Sequence, residues 1–140
     1  MSEDAVRGLI IAHSSLAAGF AAAVRQIAGV GDDVIQAISN EGLGPEELLE
    51  KIRVAVGDSP VVIFTDLPSG SCAFAARKIG ADRPGTGMIC GVNLPILLDF
   101  AFHRELPLQS LVDRLLDKGR VGISGACIED GARADRAFSG

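Results

Sequence analysis

The chain has 140 residues, the size of a single domain, with 48% hydrophobic and 22% charged residues, too apolar for a disordered polymer. Its net charge is −5, and with no cluster of Lys and Arg it is a poor partner for nucleic acid or an anionic membrane. No apolar run approaches the roughly 18 residues of a membrane span, and the acidic start Ser2-Glu3-Asp4 is unlike a signal peptide.

The elements alternate along the chain. Gly8 to Ala12 is a short continuous apolar run, the pattern of a strand buried on both faces. Leu16, Phe20, Val24 and Ile27 then recur at helical spacing behind the candidate caps Ser14 and Ser15, and Gly29-Val30-Gly31 ends that helix. Val34 to Ile38 reads as a second strand. Gly44-Pro45-Glu46-Glu47 opens a second helix, with Pro and acids where the dipole and free N–H groups favour them. Its apolar face is Leu48, Leu49, Ile52 and Val56. Val61 to Phe64 is the third strand. It leads through Asp66-Leu67-Pro68-Ser69-Gly70-Ser71 into a helix over Ala73 to Ile79, for which Ser71 is the expected cap. Gly87 to Gly91 is a fourth strand, followed by helices over Pro95–His103 and Pro107–Lys118. Gly119 is expected to end the last helix, and Val121 to Cys127 to form a fifth strand. The division is a domain over 1–128 and a flexible polar tail over 129–140.

Alternating strands and helices indicate an α/β fold with an open, mainly parallel sheet. Ligands of such sheets bind beyond the carboxyl ends of the strands, where the strand order reverses. His13-Ser14-Ser15 follows strand one, Asp66 with Ser69, Gly70 and Ser71 follows strand three, and Val92-Asn93-Leu94-Pro95 follows strand four. If strands one and three are neighbours, His13 faces Asp66 across a crevice at which two helix N-termini point. An imidazole whose far nitrogen is held by a carboxylate is a nucleophile toward phosphorus. Helix N-termini and serine hydroxyls solvate the anionic group it would acquire. The bland readings are a structural His13, turn chemistry at Asp66 and a solvated helix end at His103. A serine hydrolase lacks its G-x-S-x-G elbow, the glycine pairs fit no dinucleotide fingerprint, and neither a P-loop nor a metal-ligand cluster is visible. The three cysteines, Cys72, Cys90 and Cys127, are odd in number, far apart and without CxxC spacing, which suits reduced, buried thiols in a cytoplasm better than disulfides or zinc.

These residues carry a resemblance. The sequence is similar, over about residues 7 to 126, to the mannose/fructose-type enzyme IIA of the bacterial sugar phosphotransferase system (PTS). Gly8-Leu9-Ile10-Ile11-Ala12-His13 resembles that family's first strand and phosphorylated histidine, and the run Gly44 to Ile52 its second helix. Thr65-Asp66-Leu67-Pro68-Ser69-Gly70-Ser71 resembles the signature T-D-L-F-G-G-S-P, Gly91 to Leu98 the segment G-V-N-L-P-M-L-L, and Gly119 to Ile123 the closing G-R-E-G-I. The five segments stand in the family's order.

The resemblance implies strand order 2-1-3-4 and a homodimer in which the last strand, about Val121 to Cys127, is exchanged. It implies a cytoplasmic phosphotransferase in which the phosphocarrier HPr phosphorylates His13. Asp66 then orients the ring, and Ser71, Ser14 and Gly70 line the phosphoryl group. A separate IIB component takes the group for sugar uptake through membrane IIC and IID components, with which IIA associates peripherally. It implies no metal or organic cofactor. Ser14 stands where sugar-type members commonly have Gly, Pro68-Ser69 replaces Phe-Gly, and Cys72 replaces Pro. His13-Ser14-Ser15 also resembles the phosphotransfer subunit of the dihydroxyacetone kinase system, whereas Asn93-Leu94-Pro95 and the Asp66 loop side with the sugar branch. A regulatory phosphohistidine module with no transporter downstream and a non-phosphorylated scaffold of the same fold are the rival readings. The resemblance implies that sugar specificity lies in the IIB and membrane partners.

Overall fold

A strand that alternates its side chains between two covered faces must be apolar throughout, and Arg7–Ala12 (β1) is buried from Gly8 onward. In the computed structural model, which describes residues 5–128, β1 is followed by Leu16–Ala28 (α1), Ile35–Ser39 (β2), Pro45–Val56 (α2), Val61–Thr65 (β3), Ser71–Asp82 (α3), Thr86–Cys90 (β4), Leu94–Phe102 (α4) and Leu108–Val121 (α5). The four strands form one parallel sheet in the order β2-β1-β3-β4. The chain therefore moves outward from β1 to β2, then returns to place β3 on the other side of β1. The reversal of strand order lies between β1 and β3.

The period-two alternation divides the core into two layers. Ile10, Ala12, Val62 and Phe64 face α1, α4 and α5, whereas Leu9, Ile11, Val61 and Ile63 face α2 and α3. Burial of each large side chain contributes about 1.5–3 kcal/mol, so these layers hold the strand ends in place. Gly8 allows the close approach of Phe100, whose ring carbon would lie 2.7 Å from a Cβ there. Phe100 in turn meets Phe64 edge to face, with centroids 5.3 Å apart. Among the described residues no helix is long and apolar enough to cross a membrane.

Three expectations are corrected. Gly119 does not end the last helix, which continues to Val121. Instead it lets α5 lie against α4, since a Cβ at Gly119 would fall 2.5 Å from Ile96, and its carbonyl accepts from Asn93 Nδ2 at 3.0 Å. Among the described residues no fifth strand is formed within the chain: Val121 is helical and 123–127 pairs with none of the four strands. The third correction concerns the thiols. Cys72, Cys90 and Cys127 are all free, but only Cys72 is buried, because Cys90 ends the edge strand and Cys127 lies in the unpaired segment. The expected tail over 129–140 lies outside the described residues.

Candidate functional site

The hydrogen-bonded register of β1 and β3 pairs Ile11 with Thr65, so both strands end at the same level and their next residues meet. The His13 amide donates to Asp66 Oδ2 at 3.0 Å and His13 Nδ1 lies 2.8 Å from the same oxygen. A carboxylate only accepts, so the Nδ1 proton sits in this bond and the lone pair of the neutral ring is on Nε2. The Asp66 side chain is only 9% exposed and the imidazole 43%. The pair is thus fixed from below and open above.

Asp66 is itself held. Its Oδ1 accepts from the Leu67 amide at 3.1 Å, and the buried Thr65 hydroxyl donates to the Leu67 carbonyl at 2.8 Å. Arg77 of α3 donates to the Pro68 carbonyl at 2.7 Å, tying down the loop. Burial pushes the Asp66 carboxyl up, but hydrogen bonds from the His13 amide and ring, with the charge on His13, outweigh it and leave the carboxyl below its ordinary value.

The two helix N-termini are built differently. Ser14 takes φ 53°, a left-handed conformation rare outside glycine, so the chain turns at once from β1 into α1. The Ser14 carbonyl is held by the Ser39 hydroxyl at 2.7 Å. Ser15 occupies the α1 cap position without a side-chain bond. At α3 the cap position belongs to Gly70, at φ 97°, rather than to the expected Ser71, which is the first helical residue. Ser71 Oγ accepts from Asn40 Nδ2 at 3.1 Å. The Leu16 amide of α1 already donates to the His13 carbonyl at 3.1 Å, whereas the amides that follow it and the first amides of α3 lack intrahelical acceptors and suit an anion.

Ser39, the last residue of β2, and Asn40 just after it were not singled out in the sequence. The signal was there, because they stand at the carboxyl end of a strand just as His13 and Asp66 do. Asn93 proves structural: its Oδ1 caps α4 by accepting from the Ile96 amide, and its amide reaches α5. His103 ends α4 with Nδ1 2.8 Å from the Asp99 carbonyl.

Cys72 enters the site from the second position of α3. Its Sγ lies 3.9 Å from His13 Nδ1, and the potential ligand atoms of His13, Asp66 and Cys72 all fall within 4.8 Å of one another. The absence of a metal-ligand cluster, expected from linear spacing, is therefore corrected: the sheet assembles three donor residues that are far apart in sequence. Burial pushes the Cys72 thiol up, and the Asp66 charge adds to this against the Ser71 hydrogen bond. A separate concavity along β2 and α2, lined by Arg7, Gln36, Glu50, Lys51 and Val54 among others, shares none of these residues.

Solved structures have the same fold. The phosphotransferase system component EIIA from Streptococcus agalactiae superposes with a TM-score of 0.79 at 21% identity, covering 86% of this chain and 96% of that one. A mannose/sorbose-specific IIA subunit from Enterococcus faecalis gives 0.78 at 18% identity, covering 90% and 98%. The PTS IIA protein associated with the fucose utilization operon of Streptococcus pneumoniae gives 0.71 at 19%, covering 84% and 93%. No curated protein sequence matches the chain. Residues 8–117 match the family EIIA-man, described as the PTS system fructose IIA component. The chain belongs to that family of phosphotransferase-system IIA components.

Proposed function

We propose that the chain is a phosphoryl carrier in which His13 accepts a phosphoryl group from phospho-HPr and hands it to a separate IIB component. The carrying observation is the 2.8 Å contact between His13 Nδ1 and Asp66 beneath a half-exposed ring. The Nε2 lone pair attacks phosphorus, the P–N bond to the donor histidine breaks, and the donor ring leaves with that electron pair. The Nδ1 proton stays in the bond to Asp66, whose negative charge stabilises the cationic ring during transfer. Ser14, Gly70 and Ser71 stand at the two helix N-termini that would receive the phosphoryl oxygens. No metal or organic cofactor enters this step.

The surroundings suit a protein partner. Leu16, Leu67 and Phe74 are exposed, and their amides bond to the His13 carbonyl, Asp66 Oδ1 and the Gly70 carbonyl. Exposed apolar side chains thus occur at both helix starts and in the Asp66 loop, where a partner's apolar patch can cover them. The exposed 123–127 segment is the piece available for exchange into a homodimer; cutting the chain after Gly122 is then expected to yield monomers in sedimentation.

The test is incubation with phosphoenolpyruvate, enzyme I and HPr, followed by mass measurement at neutral or basic pH. One added phosphoryl group is expected, absent in His13→Ala; a label surviving that substitution overturns the assignment. Transfer onward to a IIB protein separates the sugar relay from a regulatory module. The His13-Ser14-Ser15 run carries the second reading, and labelling only with partners of the dihydroxyacetone kinase system would favour it.

A further inference from the structure

We propose that His13, Asp66 and Cys72 form a binding site for a soft divalent cation of the zinc type, which excludes the phosphoryl group from the same histidine. The binding half stands on the geometry alone; the exclusion half rests on the phosphoryl-carrier reading.

The three donors come from separate elements: the end of β1, the loop after β3 and the first turn of α3. Zinc takes nitrogen and oxygen at about 2.0–2.2 Å and thiolate sulfur at about 2.3 Å, so tetrahedral ligand atoms lie about 3.3–3.6 Å apart. Here Nδ1 is 3.9 Å from Sγ and 2.8 Å from Oδ2. The first distance has to close and the second to open by a few tenths of an ångström, the latter as the cation replaces the shared proton. Asp66 is already oriented by the His13 and Leu67 amides, the kind of supporting bond that preorganises a ligand. Cys72 is 1% exposed and closes the site from below. Three protein ligands leave a fourth position open. Thiolate and imidazole favour zinc over magnesium or calcium, which seek oxygen. One carboxylate and one thiolate balance a charge of two.

Proton bookkeeping makes the two occupants exclusive. A neutral imidazole has one N–H. A cation on Nδ1 sends that proton to Nε2, which then has no lone pair for phosphorus, while the thiol proton leaves to solvent. Conversely, a phosphoryl group on Nε2 leaves Nδ1 holding the proton bonded to Asp66, and a cation can reach that nitrogen only by displacing the proton. By linkage, each occupant weakens the other.

The full chain is titrated with Co²⁺ alone, and the thiolate-to-cobalt absorption band is followed. One ion per chain is expected. In Cys72→Ser, which preserves size, and in Cys72→Ala, both checked for folding by circular dichroism, the band should vanish. Affinity should fall by more than the 10–100-fold typical of losing an outer partner, roughly 10²-fold or beyond. No band in the parent chain, or an equal band in Cys72→Ser, overturns the site. Purified phospho-HPr is then offered with and without Zn²⁺. Labelling of the parent chain should stop at one equivalent and return with chelator, whereas Zn²⁺ should not change the labelling of Cys72→Ser from its own zinc-free rate. Full labelling of the zinc-loaded parent chain overturns the exclusion. If even the chelator-treated chain takes no label, the carrier reading falls, and the cobalt band still decides the site.

Discussion

The two ends of the same sheet are both polar, and they use that polarity in opposite ways. At the amino ends of the strands, Arg83 donates to the carbonyls of Val56, Gly57, Ser59 and Gly85 and to the Thr86 hydroxyl. Arg7 reaches the carbonyls of Ala55 and Val56 and the Gln36 side chain. Arg104 bonds the Val6 carbonyl. These long guanidinium forks spend their donors mostly on carbonyls of the α2 end and of the loops, and leave little capacity over. At the carboxyl ends the side chains are short, and Asp66 restrains only one nitrogen of His13. Polar residues that satisfy one another hold a fold together, whereas a residue fixed on one side and free on the other can act.

The comparison breaks most visibly at Asp66. Replacing it with Asn removes the charge behind the ring and permits the wrong tautomer, so phosphoryl acceptance should fall by about 10²–10⁴-fold, the range of a positioned proton-handling group. Initial rates of labelling by phospho-HPr measure this, and a change below threefold would sink the role. Arg83→Ala should do the reverse, costing about 2 kcal/mol of stability, as expected for charge-assisted bonds, with the labelling rate at permissive temperature unaltered. Urea unfolding of the two variants side by side makes the contrast quantitative. Ser14→Gly should raise stability by about 1 kcal/mol, because it relieves a left-handed non-glycine backbone. The smallest effect is on acid unfolding. The folded Asp66 carboxyl lies below its ordinary 3.8, so its contribution is complete above that value. As pH falls, the unfolded chain binds the proton first, and the contribution is lost on passing through the folded value. The acid limb of the parent chain should therefore be steeper than that of Asp66→Asn.

Much of this was legible in the residues. Continuous apolar runs marked β1 and β3, because strands covered on both faces tolerate nothing else, and the partly buried edge strands β2 and β4 were also found, with boundaries shifted by only one or a few residues. His13 and Asp66 could be paired in advance, since strand ends at a reversal of order are where ligands bind. What sequence reading missed depends on distance across the fold. Gly119 looks like a stop signal in the chain, yet it serves as clearance for Ile96. Ser71 looks like a cap, but Gly70 can take the φ of 97° that the entry to α3 requires. Cys72 lies 59 residues from His13, and no local pattern reveals that they meet.

The register of β1 and β3 has a consequence for how such a protein can diverge. A pair of neighbouring parallel strands is among the stiffest connections a chain can make, so the spacing of His13 and Asp66 is inherited with the sheet. The positions that set what the surroundings look like, Pro68, Ser69 and Cys72, lie in the loop and helix start that follow β3. Chemistry and address are thus written on separate parts of the molecule. One can be rewritten, for a new partner or a new ion, while the other stays as it was.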